Sequence, residues 1–226
     1  MSDTKTRWVT FDCFGTLVDW HMGFSRLLTP LCGSKTSDVM HAYHRFEREL
    51  EAERPHRLYR DVLSGALLRA AATTGVAISE SDARALPNGW GTLPVFPDTE
   101  NMLASLRVMG CKLAVLTNCD DALFAQTERA FQQPFDLVIT AQQVGAYKPS
   151  PKHFERFAEV TGVSRNDWVH VACSWFHDIA PARALEIQRV WLDRDKTGDD
   201  ERAASARVET AAEVGDVVRK LYEITQ

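Results

Sequence analysis

No stretch of the 226 residues is apolar enough to cross a bilayer, and no block of lysine or arginine breaks a formal net charge of −5. These absences argue against a membrane span and against nucleic acid or an anionic membrane as partner. The opening residues, MSDTKTRW, lack the apolar core of a secretory leader, so the expected compartment is the cytoplasm. Cysteine is sparse and scattered: Cys13, Cys32, Cys111, Cys119 and Cys173 are odd in number and form no CxxC pair. Neither a disulfide framework nor a zinc site is indicated. There is no internal repeat and no low-complexity tract.

What is present is a 45% hydrophobic chain, long enough for one large domain or for a domain carrying an inserted lobe. Its organising stretch is RWVTFDCFGTLVDW, Arg7 to Trp20. An apolar run, Trp8 to Phe11, ends in Asp12, and a tight turn follows at Gly15 and Thr16. This reads as a buried strand that delivers one carboxylate to its C-terminal end. Helical spacing then takes over. Val39, Tyr43, Phe46 and Leu50 recur behind Ser37, a candidate N-cap; Leu58, Val62, Ala66 and Ala70 run to Thr74-Gly75; a short helix is expected over Ser81 to Leu86. Residues 21–92 thus form a helical insertion, closed by NGWGTLPVFP, between core segments 1–20 and 93–226.

Beyond the insertion, strands and helices alternate. A helix from Asp98 to Gly110 precedes a strand, Lys112 to Leu116. Phe135 to Ile139, Trp168 to Ala172 and Arg189 to Leu192 are further strands. Helices are expected after Ser150-Pro151, from Asp178 to Ile187, and behind the capping box Thr210-Ala-Ala-Glu213. Such alternation implies an α/β fold with a doubly wound parallel sheet, a Rossmann-like core carrying the helical cap. Its chemistry belongs at the carboxyl ends of the strands. Asp12, Thr117-Asn118, the loop holding Lys148, and Asp178 all fall there, and the insertion leaves just after Asp12, where it can close as a lid.

These four segments resemble the motifs of the haloacid dehalogenase superfamily: DxxGTL at Asp12 to Leu17, Thr117, Lys148 in AYKPSP, and Asp178 in ACSWFHD. Two departures matter. Phosphatases of that superfamily carry a second Asp two residues after the nucleophile, and here Phe14 stands there. They also carry a magnesium-holding Asp near the start of the fourth motif, where this chain has Cys173. The pattern therefore resembles the metal-free branch of L-2-haloacid dehalogenases. That resemblance implies no cofactor and no metal, a small 2-substituted carboxylate as partner, and attack by Asp12 on C2 through an ester that water hydrolyses. It further implies that Lys148 keeps Asp12 ionised and steadies the ester oxyanion, that Thr16 holds the Asp12 carboxylate, that Thr117 binds the substrate carboxylate, that Asn118 lies beside the leaving group, and that Asp178 orients the hydrolytic water.

The leaving group is the open choice. Dehalogenases of the branch set a cap arginine beside the halide; here Phe46 holds that place, flanked by Arg45 and Arg48. Their Asn before the last Asp is aromatic here, Trp175-Phe176. With Trp20 these suggest an aromatic pocket, which favours a cation, and Asp19 stands next to Trp20. A protonated cyclic amine, as in L-azetidine-2-carboxylate, is preferred over halide, with halide second; a phosphatase and a non-catalytic binding module are the remaining alternatives. Exposed cap faces are compatible with a homodimer. Against these readings stand plainer ones: Asp178 and Asp120 as helix caps, Trp20, Trp175 and Phe176 as core, His177 as a structural histidine.

Overall fold

The structure is a computed structural model that describes residues 6–197 and 201–224. Six strands form one parallel sheet among these residues, in the order β3-β2-β1-β4-β5-β6. They are β1 (Trp8–Phe11), β2 (Lys112–Thr117), β3 (Leu137–Thr140), β4 (Trp168–Ala172), β5 (Gln188–Leu192) and β6 (Ala206–Val208). β1 is central and fully buried, with Phe11 opposite Val115 of β2 and Val171 of β4. The chain leaves β1 towards β2 on one side and returns to β4 on the other, so the topological switch point lies at the end of β1.

Strand periodicity sorts the core. Leu113 and Val115 of β2 face one hydrophobic cluster, and Ala114 and Leu116 face the other. The first cluster takes in α6 (Thr99–Val108) and α11 (Val214–Ile224) through Leu103, Leu106, Val214 and Val218. The second takes in α9 (Lys152–Thr161), whose Phe157 packs edge-on against Trp8 with ring centroids 5.3 Å apart.

Between β1 and β2 lie α1 (Trp20–Cys32), α2 (Thr36–Ala52), α3 (Tyr59–Thr73), α4 (Glu80–Ala83) and α5 (Ala85–Gly89). The insertion's exit and return are clasped side by side: Asp19 N donates to Pro94 O at 2.8 Å and Phe96 N to Leu17 O at 2.9 Å. Its apolar face joins the core, since Phe24, Leu28, Tyr43, Leu63 and Trp90 belong to the same cluster as Val9 and Phe11. A second tie is Asp120, fully buried after β2. Its carboxylate accepts from Tyr59 N at 2.7 Å and Arg60 N at 2.9 Å, so it caps α3 of the insertion. Among the described residues no helix is long and apolar enough to cross a membrane.

Several expectations shift by local chemistry. Ser37 is not an N-cap, because a 3-10 turn, Gly33–Lys35, runs straight into α2 at Thr36. The helix expected from Asp178 starts earlier, as a π-helical turn over Trp175–Ile179 followed by α10 (Ala180–Ala184). Asp178 therefore sits inside that turn and does not cap the helix. Asp120 makes no side-chain cap bond to α7 (Asp121–Thr127), its own helix, because it is spent on α3. β6 and α8 (Ala141–Val144) are too short to leave a periodic signal. The Thr210–Glu213 capping box is formed.

Candidate active site

The loop after β1 is shaped by Gly15. Its φ is +96°, and a Cβ there would meet Cys173 Sγ at 2.8 Å, so conformation and space both require glycine. The turn folds back through Leu17 N to Cys13 O at 2.8 Å and Gly15 N to Val18 O at 2.7 Å. It brings Thr16 under the nucleophile candidate: Thr16 Oγ1 donates to Asp12 Oδ2 at 2.8 Å and accepts from Cys173 N at 2.9 Å. Asp12 itself is held to the sheet by Asp12 N donating to Val171 O at 3.1 Å.

Lys148 joins three strand ends. Its Nζ donates to Asp12 Oδ1 at 2.8 Å, Asp178 Oδ1 at 2.7 Å and Leu116 O at 2.9 Å. Burial alone would push this ammonium down, but the charges of Asp12 and Asp178 outweigh it and hold the lysine above its ordinary value. Asp178 shows the converse balance. Burial pushes it up, yet Lys148 and then His170 bring its carboxyl below the usual carboxylate range. A relay runs behind it: Trp168 Nε1 donates to Thr10 Oγ1 at 2.8 Å, Thr10 Oγ1 lies 2.9 Å from His170 Nδ1, and His170 Nε2 lies 3.1 Å from Asp178 Oδ1. With Thr10 donating to Nδ1, the proton of a neutral His170 sits on Nε2 and points at Asp178. Asp178 Oδ2, by contrast, is buried and has no hydrogen-bond partner in the protein.

These groups floor a cavity of about 800 Å³. Its lining includes Asp12, Phe14, Trp20, Thr117, Asn118, Lys148, Trp175, Phe176 and Asp178, which were singled out in the sequence. Trp20 reaches it from the start of α1, and Phe176, 57% exposed, stands as a rim residue. Trp175 lines it and also packs on Trp191, centroids 5.9 Å apart. Asn118 is committed elsewhere by its amide: Oδ1 accepts from Lys148 N at 2.7 Å and Nδ2 donates to Lys148 O at 3.3 Å, which holds the lysine loop. Thr117 is fully buried, and Oγ1 accepts from Cys119 N at 3.4 Å.

Asp19 corrects an expectation. It is not in the lining, because its carboxylate caps α1 by accepting from Met22 N at 2.9 Å. Arg45 is also outside, turned to Glu49 at 2.9 Å, with its guanidinium over Phe46. Arg48, by contrast, lines the cavity. Burial raises the thiols of Cys13 and Cys173, so neither is a ready thiolate. His177 lies 3.0 Å from Ser174 Oγ through Nδ1, and burial lowers its pKa.

Other lining residues escaped the sequence reading, above all Tyr43, Glu47, Glu51 and Tyr59 from the insertion. Tyr43 was placed on an apolar helical face, and Glu47, one turn further along, was assigned no role. His170 was missed too, although a histidine inside the buried run WVHVA is a signal in itself.

Comparison with known proteins follows the same lines. Haloacetate dehalogenase H-2 of Moraxella sp. (strain B) is 25% identical over 197 residues, 84% of this chain and 87% of that protein. Phosphoserine phosphatase of Thermus thermophilus is 32% identical over 115 residues, 49% of this chain and 45% of that protein. The solved structure of L-2-haloacid dehalogenase from Xanthobacter autotrophicus with chloropropionic acid covalently bound has the same fold, with a TM-score of 0.80 at 18% identity, covering 95% of this chain and 98% of that one. A family model for haloacid dehalogenase-like hydrolases matches residues 6–185, and with this match over most of its length the chain belongs to the haloacid dehalogenase-like hydrolases.

Proposed function

We propose that the enzyme hydrolyses a small L-2-substituted carboxylate by attack of Asp12 on C2, without a metal. The observation that carries this reading is the setting of Asp12: a carboxylate held by Thr16 and Lys148, with Phe14 and Cys173 in the two places where a phosphatase needs carboxylates. The donor set does not fit magnesium. That ion asks for near-octahedral oxygen ligands. Cys173 offers a neutral thiol, and the Lys148 ammonium already spans Asp12 Oδ1 and Asp178 Oδ1. Among the described residues no group of three or more His, Cys, Asp or Glu is placed to hold a metal ion.

In the first step an Asp12 oxygen bonds to C2 as the bond from C2 to the leaving group breaks, and that electron pair departs with the leaving group. In the second, water adds to the Asp12 acyl carbon, the acyl–oxygen bond breaks, and the 2-hydroxy acid leaves with its new oxygen drawn from Asp12. One water is consumed; the proton of its hydrolysis is released when a halide leaves and is taken up by the freed amine when the leaving group is a ring nitrogen. Lys148 offsets the oxyanion of the second step. Asp178 accepts a hydrogen of the attacking water through Oδ2, the oxygen with no protein partner. The substrate carboxylate is assigned to the end of β2, where Thr117, Asn118 and Cys119 line the cavity. Residues 21–92 act as the cap and 1–20 with 93–226 as the core; a cytoplasmic location and a homodimer through exposed cap faces belong to the same reading.

As leaving group we favour a protonated ring nitrogen, with L-azetidine-2-carboxylate opened to a 2-hydroxy-4-amino acid. Trp20, Trp175 and Phe176 supply the aromatic faces that suit a cation. Halide is the second reading, supported by Arg48 in the lining and by the likeness to haloacetate dehalogenase H-2. Incubation with L-azetidine-2-carboxylate and, separately, L-2-chloropropionate tests both. Chloride release without ring opening would reverse the preference. A single turnover in ¹⁸O-water should label Asp12 and leave the product unlabelled; label in the product would rule out the ester.

A further inference from the structure

The insertion adds a wall to the cavity whose chemistry differs from the floor. We propose that this wall is a cation subsite, in which Glu47 and Glu51 of α2 take the protonated nitrogen of a small zwitterionic substrate whose C2 faces Asp12. The proposal rests on the hydrolase reading above and names the part of the site that reads the substrate's charge.

Glu47 and Glu51 stand four residues apart on α2, hence on one face, and both line the cavity. Glu47 Oε1 accepts from Tyr59 Oη at 2.5 Å and from Tyr43 Oη at 3.2 Å, and Oε2 lies 3.3 Å from His44 Nδ1. The phenols orient the carboxylate, and no arginine or lysine pairs with it among the described residues. Glu51 makes no side-chain hydrogen bond or ion pair there. Burial, and then the neighbouring Glu47, pushes Glu51 up to about 9, against the pull of Lys148 and Arg48. A cation entering the cavity would ionise Glu51 and gain its charge as well.

A second observation is independent of the two glutamates. Asp178, which lines the same cavity, is fully buried and has Oδ2 without a protein partner, so the floor adds no unpaired positive charge that would oppose a cation. Lys148 and Arg48 are the lysine and arginine side chains of the lining, and Lys148 is already held by Asp12 and Asp178. A halide leaving along the α2 wall would meet Glu47 and the neutral acid of Glu51 as well as Arg48, whereas an ammonium would meet two acceptors and Trp20.

The test is calorimetric binding of L-proline and of tetrahydrofuran-2-carboxylate, rings of similar shape that differ in the charged nitrogen. The wild-type protein should bind L-proline at least about tenfold more tightly. Glu47→Gln and Glu51→Gln should each lower that ratio roughly tenfold. Glu51→Gln removes no hydrogen bond of the fold, so it serves even if Glu47→Gln unfolds. Equal binding of the two rings, no binding of L-proline, or an unchanged ratio in both variants would overturn the proposal. If the ratio behaves as expected while neither L-azetidine-2-carboxylate nor L-2-chloropropionate is turned over, the subsite stands and the hydrolase reading falls. Chloride release with no preference for L-proline gives the reverse.

Discussion

The floor and the wall of the cavity are built on opposite principles. The floor comes from strand ends, and its charges are closed on one another: Lys148 is shared by Asp12 and Asp178, and Asp178 is backed by His170. Charges buried at this depth must be paired or they are costly, so the floor tolerates little change. The wall comes from α2 and its aromatic neighbours, and its carboxylates meet only neutral phenols and an imidazole, or nothing. A site divided in this way can keep one reaction while the wall selects the substrate.

Asp12→Asn should cost the most. It removes the nucleophile, and turnover of every substrate should fall by at least about 10³-fold, read by steady-state kinetics. Lys148→Met comes next, because it strands two buried carboxylates. Activity should fall comparably, and urea unfolding should show a loss of about 3–5 kcal/mol. An intact unfolding midpoint in that variant would break the contrast between floor and wall.

His153 offers a pH test at the edge of the floor. Its Nε2 lies 3.0 Å from Thr117 O, its Nδ1 is buried without a partner, and burial, helped by Lys148, lowers it to about 3. The unfolded chain takes up that proton near the ordinary value of about 6.5, whereas the folded protein refuses it. Stability is therefore retained above about pH 6.5 and lost as pH falls towards 3. The loss should reach up to about 3 kcal/mol by pH 4, and His153→Gln should flatten it in denaturant titrations.

Asp120→Ala should cost about 1–2 kcal/mol, since it removes the cap of α3 and the tie between insertion and core. Trp20→Ala should have the smallest effect on kcat and should act mainly on KM. If it changed kcat for all substrates equally, the wall would belong to the reaction and not to selection.

Much of this was legible along the chain. The four motif segments lie at strand ends as expected, and strands such as Trp168–Ala172 have the bounds that their apolar runs implied. Short-range chemistry was read correctly at Thr210–Glu213, where both halves of the capping box are local. It was misread wherever a side chain had a choice of partners. Asp19 looked like a substrate contact beside Trp20 but finds Met22 N three residues on. Asp120 looked like the cap of its own helix but finds Tyr59 N, 61 residues away. Arg45 and Arg48 were equivalent in sequence, and only the rotation of α2 puts Arg48 in the lining and Arg45 against Glu49.

The sequence by itself determined five of the six strands, the loop that needs Gly15, and the carboxylates and lysine that gather beyond the strand ends, because strand periodicity and turn sterics act over a few residues. The tertiary structure decided what surrounds them. Asp12 and Lys148 lie 136 residues apart, and no local rule specifies that one ammonium will serve both Asp12 and Asp178. Nor does any local rule turn the Glu47–Glu51 face of α2 inwards. That orientation is set by burying Val39, Tyr43 and Leu50 against the core, which carries the two glutamates to the cavity wall.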